Sequence, residues 1–86
     1  MSLNDIKREL KILIVQESGR DISPDKIDDK EPLFGSESKL ALDSLDALQI
    51  SMALHHKYGK KLNDSKEAMR ILINIDTLAK FITKVD

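Results

Sequence analysis

The sequence has no cysteine and no tryptophan, and its only aromatic residues are Phe34, Tyr58 and Phe81. Without a thiol the chain can form no disulfide bond, no cysteine-based zinc site and no cysteine nucleophile. An excess of one charge is missing as well, because 14 Lys and Arg residues stand against 15 Asp and Glu residues, for a formal net charge of -1. The composition therefore lacks the basic excess typical of nucleic-acid binding, and we expect no nucleic-acid partner.

Long hydrophobic runs are also missing. No apolar stretch approaches the ~20 residues that a membrane-spanning helix needs, and the first residues mix charged and apolar side chains instead of forming a signal peptide. We therefore expect no membrane insertion and a cytoplasmic location. The 86 residues suffice for one domain, residues 1–86, near the lower size limit for a single hydrophobic core. So small a chain has little room for an enclosed active site, and we expect a monomer that works through its surface.

The first part of the chain predicts one helix and a long connection. Apolar side chains recur there at spacings of three and four residues, at Leu3, Ile6, Leu10, Leu13 and Ile14. This period predicts an amphipathic helix over about residues 3–17, which Gly19 ends. Residues 18–43 have no sustained period and contain both prolines of the chain, so they predict a loop. Three apolar residues are expected to hold this loop against the core: Ile27, Leu33 and Phe34.

Three further helices are predicted after this loop. The second begins at "DSLD", where Asp43 is a good N-cap with Asp46 three positions later, and it ends at Gly59. A short third helix begins after Asp64, and a last helix begins after Asn74. We therefore predict an all-α fold, a small four-helix bundle of three main helices and a short third one, with a long loop between helices 1 and 2.

A lone hydroxyl stands out in "LALDSLDAL", residues 40–48. If Asp43 caps the helix, Ser44 occupies the first helical position with its side chain free to point outwards, although serine at this place is also common as a plain capping residue. A catalytic serine needs an adjacent base, and the only histidines, His55 and His56, lie ~16 Å further along the helix at ~1.5 Å per residue. We therefore do not expect an enzyme. A helix N-terminus does favour a phosphate-linked group, which another enzyme could attach to Ser44.

At this point the sequence resembles the acyl carrier proteins over most of its length, from about Leu3 to Val85. The segments that carry the resemblance are, in order, "SPDKIDDKEPLF" at 23–34, "LDSLDAL" at 42–48, "MALHHKYGKKL" at 52–62 and "NIDTLAKFI" at 74–82. The triplet DSL alone is a weak motif, but the whole set in this order and at these distances is specific.

The resemblance implies a covalent cofactor. Ser44 would be modified with 4'-phosphopantetheine by a phosphopantetheinyl transferase that uses coenzyme A, and Asp43 would support the transferase reaction. The thiol at the end of the arm would carry acyl intermediates as thioesters between enzymes of fatty-acid, lipid or polyketide-type biosynthesis. Two alternatives stay open: a carrier of aminoacyl or peptidyl groups, and an unmodified helical module that binds a partner. A small hydrolase using Ser44 ranks below both, since no base lies within reach.

The second helix would also bind partners and shelter the cargo. The resemblance implies partner contacts at Leu45, Asp46, Gln49, Met52, His55 and His56, although Leu45 and Met52 could equally be core residues. Where the family usually has acids, this chain has Gln49, His55, His56 and Lys57. Because charge complementarity governs encounter and specificity, we expect dedicated acyl-transferring or synthase partners. Four residues are most simply core residues, and the resemblance implies that they can part to line an acyl chain: Ile50, Leu54, Ile71 and Leu72.

We expect no metal site in this chain. Adjacent residues on a helix point about 100° apart, so His55 and His56 do not form a two-ligand site, and no Cys or acid lies at ligand spacing. The acidic segment "SPDKIDDKE" lacks the spacing of a calcium-binding loop. A solvated polar surface is the simpler interpretation of both features.

Overall fold

Four α-helices form the computed structural model, which describes residues 2–35, 38–62 and 64–83. The helices are α1 (Leu3–Ser18), α2 (Ser44–Tyr58), α3 (Ser65–Ile71) and α4 (Ile75–Thr83), and a 3-10 turn, Pro24–Lys26, lies between α1 and α2. These described ranges contain no β-strand, only an isolated bridge between Phe34 and Leu42. The radius of gyration is 11.6 Å, and the fold is a small all-helical bundle, as predicted.

Local capping interactions fix both ends of α1. The Ser2 hydroxyl accepts a hydrogen bond from the Asp5 N–H (3.2 Å), and the Asp5 carboxylate accepts one from the Ser2 N–H (3.3 Å). At the other end Gly19 has a φ of 67°, and its N–H donates to the carbonyl of Val15. Such a left-handed backbone costs any residue with a Cβ about 1–2 kcal/mol, so glycine is favoured there. The predicted first helix, ended by Gly19, is confirmed.

The other helices also begin where their capping residues predict, and α2 ends where predicted. Gly59 ends α2 with a φ of 70°. The Asp64 carboxylate accepts a hydrogen bond from the Glu67 N–H (2.8 Å), and the Asn74 side chain accepts one from the Thr77 N–H (2.7 Å). Val85, which ends the predicted resemblance, lies outside the described residues. In the described part of the chain, no helix has both the length and the apolar character that crossing a bilayer requires.

The hydrophobic core lies where α1 meets α2 and α4, with α3 packed against α2. Its largest fully buried side chains are Leu10, Ile14, Ile27, Leu33, Leu40, Ile50, Leu54, Leu72, Ile75 and Leu78. Ile27 and Leu33 come from the connection between α1 and α2, and the half-buried Phe34 packs against the same core. The prediction that these three residues hold the connection against the core is confirmed.

Backbone hydrogen bonds join this connection to the turn between α3 and α4 and to the first turn of α4. The Leu33 N–H donates to the carbonyl of Ile73 (3.0 Å), and the Asp76 N–H donates to the carbonyl of Asp29 (2.9 Å). The Leu42 N–H in turn donates to the carbonyl of Leu33 (3.1 Å), immediately before α2 begins. The start of α2 is therefore held by contacts with residues distant in sequence.

Candidate functional site

Two aspartates cap the N-terminus of α2 reciprocally. The Asp43 carboxylate accepts a hydrogen bond from the Asp46 N–H (2.9 Å), and the Asp46 carboxylate accepts one from the Asp43 N–H (3.1 Å). The hydrogen bond from the Asp46 N–H lowers the pKa of the Asp43 carboxyl, and the positive charge of Arg20 acts in the same direction. Asp43 is therefore ionised at neutral pH, and together with Asp46 it caps the helix without the Ser44 hydroxyl.

Ser44 is left free by this arrangement. It occupies the first position of α2, as predicted, and its side chain is exposed. Among the described residues its hydroxyl has no hydrogen-bond partner. His55 and His56 lie in the last turn of the same helix, so neither can act as a base for Ser44. The hydroxyl is available to an external enzyme but is not activated by the histidines of this chain.

Arg20 connects the end of α1 to the start of α2. Its Nε donates to the carbonyl of Leu40 (2.8 Å) and its Nη1 to the carbonyl of Ser18 (3.2 Å). Its Nη2 donates to the carbonyl of Ala41 (3.4 Å) and to the carboxylate of Asp46 (2.8 Å). Sequence analysis did not identify Arg20, because it lies far from Asp46 along the chain and belongs to no motif.

The backbone bends sharply just before the site. Ala41 has a φ of 46°, and it is the only described residue other than glycine with a positive φ. A non-glycine residue in this region costs about 1–3 kcal/mol and persists only where the surroundings hold it. The Ser38 hydroxyl accepts hydrogen bonds from the N–H groups of Leu40 (3.0 Å) and Ala41 (3.2 Å), and Leu40 and Leu42 are buried on either side. Ser38 therefore binds the N–H groups of this turn, and Arg20 binds its carbonyl groups.

An apolar stripe runs along the outer face of α2, next to Ser44. Leu45 is 61% exposed, Leu48 56% and Met52 65%. These residues are three and four positions apart, so they lie on one side of the helix. Leu45 and Met52 are therefore surface residues and not core residues. Sequence analysis missed Leu48, although its spacing from Leu45 and Met52 is a signal that could have found it.

The polar residues predicted to meet partners fall into two groups. Gln49, His55 and His56 are exposed on α2. Asp46 differs from them, because it is only 8% exposed and its carboxylate is occupied by Arg20 and by the Asp43 N–H. Asp46 is also predicted to contact partners, but its buried and occupied carboxylate has little surface left for one. No acid of α2 is exposed, since Asp46 is the only acid in that helix.

The four residues predicted to line an acyl chain lie in or beside the core. Ile50, Leu54 and Leu72 are fully buried, and Ile71 is half-buried against them. They belong to α2 and to the end of α3, two helices that pack against each other. The described structure therefore brings these four residues together in or beside the core.

A separate groove of about 530 Å³ opens between α1 and α2. Its lining consists of Ile12, Leu13, Gln16, Glu17, Met52, Ala53, His56 and Lys57. Met52 thus belongs both to this groove and to the exposed stripe. Within residues 2–35, 38–62 and 64–83, no three His, Cys, Asp or Glu side chains are placed to hold a metal ion.

The sequence matches no protein-family model, and it has no significant match among curated proteins.

Proposed function

We propose that this chain is an acyl carrier protein that receives 4'-phosphopantetheine on Ser44. The observation that carries the proposal is the free, exposed hydroxyl at the first position of α2, beside an ionised Asp43 that caps the helix together with Asp46. A serine needed for capping would not be left without a hydrogen bond. The sequence segments that resemble the carrier family support the same assignment.

The residues around Ser44 fit the role of acceptor in a group transfer. The hydroxyl oxygen forms a bond to phosphorus, the phosphoanhydride bond of coenzyme A breaks, and the nucleotide half leaves. The hydroxyl proton passes to a base of the transferase, because no histidine of this chain lies nearby. Asp43 is exposed and ionised, so it can attract a metal ion brought by the transferase. The attached arm supplies a thiol, which this cysteine-free chain does not have.

The exposed stripe of α2 gives the carrier a surface for its partners. Leu45, Leu48 and Met52 would enter apolar pockets of acyl-transferring or synthase enzymes, and Gln49, His55 and His56 would form the rim. Since α2 exposes no acid, the partners would be dedicated ones that do not depend on acidic contacts along this helix. Ile50, Leu54, Ile71 and Leu72 would part to shelter the acyl chain. We assign this work to a monomer in the cytoplasm.

The intact mass of the chain tests the proposal directly. The purified protein is incubated with coenzyme A and a broad-specificity phosphopantetheinyl transferase, and its mass is compared before and after. We expect a gain of one phosphopantetheine in the wild type and none in Ser44→Ala. Ser51→Ala is the matched control, because Ser51 lies in the same helix and its hydroxyl bonds to the carbonyl of Ala47. It should gain the group normally.

The outcome separates the carrier from an unmodified interaction module. Circular dichroism first establishes that each sample is folded. A folded wild type that gains no mass would overturn the carrier assignment, and so would a gain that persists in Ser44→Ala. An interaction module would also tolerate Ser44→Ala in a partner-binding assay, whereas a carrier would lose all thioester loading.

A further inference from the structure

We infer that Arg20 positions Ser44 for its modification. The inference rests on the proposed function, because it concerns the same hydroxyl. It goes further by assigning a role to a residue outside the helix and outside the motif. Arg20 lies two residues after the end of α1. Its side chain binds the Leu40 carbonyl, just before α2, and the Asp46 carboxylate, which takes part in the cap of α2.

The four hydrogen bonds of Arg20 come from one planar group. Two of its bonds, to Leu40 and Ala41, hold the backbone that leads into α2, and a third reaches the cap at Asp46. The fourth, to Ser18, ties the guanidinium to the last turn of α1. Because the guanidinium is rigid, it fixes these four groups relative to one another as a lysine ammonium group could not.

The bond to Asp46 connects Arg20 to Ser44 by a short path. The same oxygen of Asp46 accepts from Arg20 (2.8 Å) and from the N–H of Asp43 (3.1 Å). The Asp46 N–H donates a bond back to Asp43, so the two aspartates are joined across the first turn of α2, which begins with Ser44. Without Arg20 the Asp46 carboxylate loses its charged partner, and the cap can shift relative to α1.

The turn at Ala41 makes this support necessary. Its positive φ is unfavourable for alanine, and Arg20 donates hydrogen bonds to the carbonyls of Leu40 and Ala41. If these bonds are removed, the turn can relax towards a more common conformation. Ser44 lies only three residues further on, so a relaxed turn would change the direction in which its hydroxyl points.

The kinetics of phosphopantetheine transfer test this role, with the chain as the varied substrate and coenzyme A saturating. We expect Arg20→Met to lower kcat about tenfold while KM changes less than twofold. A displaced hydroxyl slows the transfer step, whereas the binding of the chain to the transferase is little affected. A variant that is merely more often unfolded would do the reverse. Its apparent KM would rise, because only the folded fraction of the chain is a substrate, and its kcat would be unchanged. Arg8→Met is the matched control, because the Arg8 side chain is exposed on α1 and makes no ion pair or hydrogen bond with the described residues.

Two further variants separate the effect of the planar guanidinium group from the effect of its charge. Arg20→Lys keeps the positive charge but cannot reach three of the acceptors together. Its kcat should therefore exceed that of Arg20→Met by less than about threefold. Arg20→Met combined with Asp46→Asn should lose no more than the worse single variant, because both changes break one connected unit. A full rescue by lysine or additive losses would contradict the positioning role.

The wild type decides whether the test can be applied. If the folded wild type is not modified at all, the proposed function fails. If the wild type is modified and Arg20→Met keeps its kcat, or if Arg8→Met loses as much, the proposed function stands and the role of Arg20 is overturned.

Discussion

The ammonium group of Lys7 lies 3.1 Å from the carboxylate of Asp76, and this ion pair joins the first helix to the last. The same ammonium lies 3.3 Å from Asp29, whose other oxygen is 2.8 Å from Lys11. One lysine of α1 thus binds α4 and the connection that precedes α2. Its hydrogen bonds with Asp76 and Asp29 raise the pKa of Lys7, and the bond with Lys7 lowers the pKa of the Asp76 carboxyl. The pKa of the Asp29 carboxyl is lowered first by the hydrogen bond with Lys11 and then by the one with Lys7.

This cluster predicts how stability depends on pH. The lowered carboxyl pKa values stabilise the fold above their ordinary value of 3.8, and this contribution is lost as the pH falls through the folded values. The raised pKa of Lys7 stabilises the fold below 10.5, and that contribution is lost as the pH rises through the folded value. Lys7→Met should lower the melting temperature between these limits and flatten both slopes. Thermal melts from acid to alkaline pH measure this, and a parallel curve for Lys7→Met would contradict it.

Tyr58 predicts a second alkaline transition. Burial, together with the nearby negative charge of Glu9, raises its pKa to about 12. Its hydroxyl donates to the Glu9 carboxylate at 3.2 Å. Because the chain has one tyrosine, ultraviolet absorbance during an alkaline titration reports this group alone. We expect its midpoint well above 10 in the folded protein, and a lower one in Glu9→Gln that still exceeds the value of the unfolded chain.

The strained turn predicts a stabilising substitution. Ala41→Gly removes the cost of a left-handed conformation, about 1–2 kcal/mol, against the ~0.5–1 kcal/mol that glycine loses through chain entropy. The free energy of unfolding should therefore rise by ~0.5–1 kcal/mol in urea denaturation. Ala53→Gly, inside α2, should lower it by about 1 kcal/mol. Similar losses in the two variants would show that the turn at Ala41 is not strained.

The apolar stripe predicts a change in function without a change in stability. Leu48→Gln should alter the free energy of unfolding by no more than ~0.5 kcal/mol, because the side chain is exposed. By contrast Leu54→Ala, in the core, should cost about 2–5 kcal/mol. If the stripe binds the transferase, Leu48→Gln should raise the KM of the chain about fivefold or more. Leu3→Gln, also exposed but on α1, should leave KM unchanged, and equal effects of Leu3→Gln and Leu48→Gln would argue against the stripe.

Much of this fold could be predicted from the sequence because its helix ends depend on local signals. Asp43, Asp64 and Asn74 each bond to an N–H three residues later, and that relation is visible in the sequence. The free hydroxyl of Ser44 follows from the same rule, since a residue after a competent cap is not needed for capping.

The rest depended on contacts that no local pattern contains. Arg20 reaches Asp46 only when the connection between α1 and α2 has folded, so neither residue can be predicted from the sequence around the other. Helix α2 is apolar on two sides. The sequence favours Ile50 and Leu54 as core residues, but it leaves Leu45 and Met52 open between core and surface. The structure buries the side with Ile50 and exposes the side with Leu48, because α1 and α3 pack against the former.

The hydrogen bonds from Leu33 to Ile73 and from Asp76 to Asp29 have a consequence for synthesis on the ribosome. Two backbone groups of the connection before α2, the Leu33 N–H and the Asp29 carbonyl, find their partners only at Ile73 in the turn before α4 and at Asp76 in its first turn. Until that turn has emerged, α1 and α2 lack much of the surface that buries their apolar sides. The nascent chain should therefore fold late and in one step, and the first turn of α2 would reach its folded position only after translation has passed Asp76.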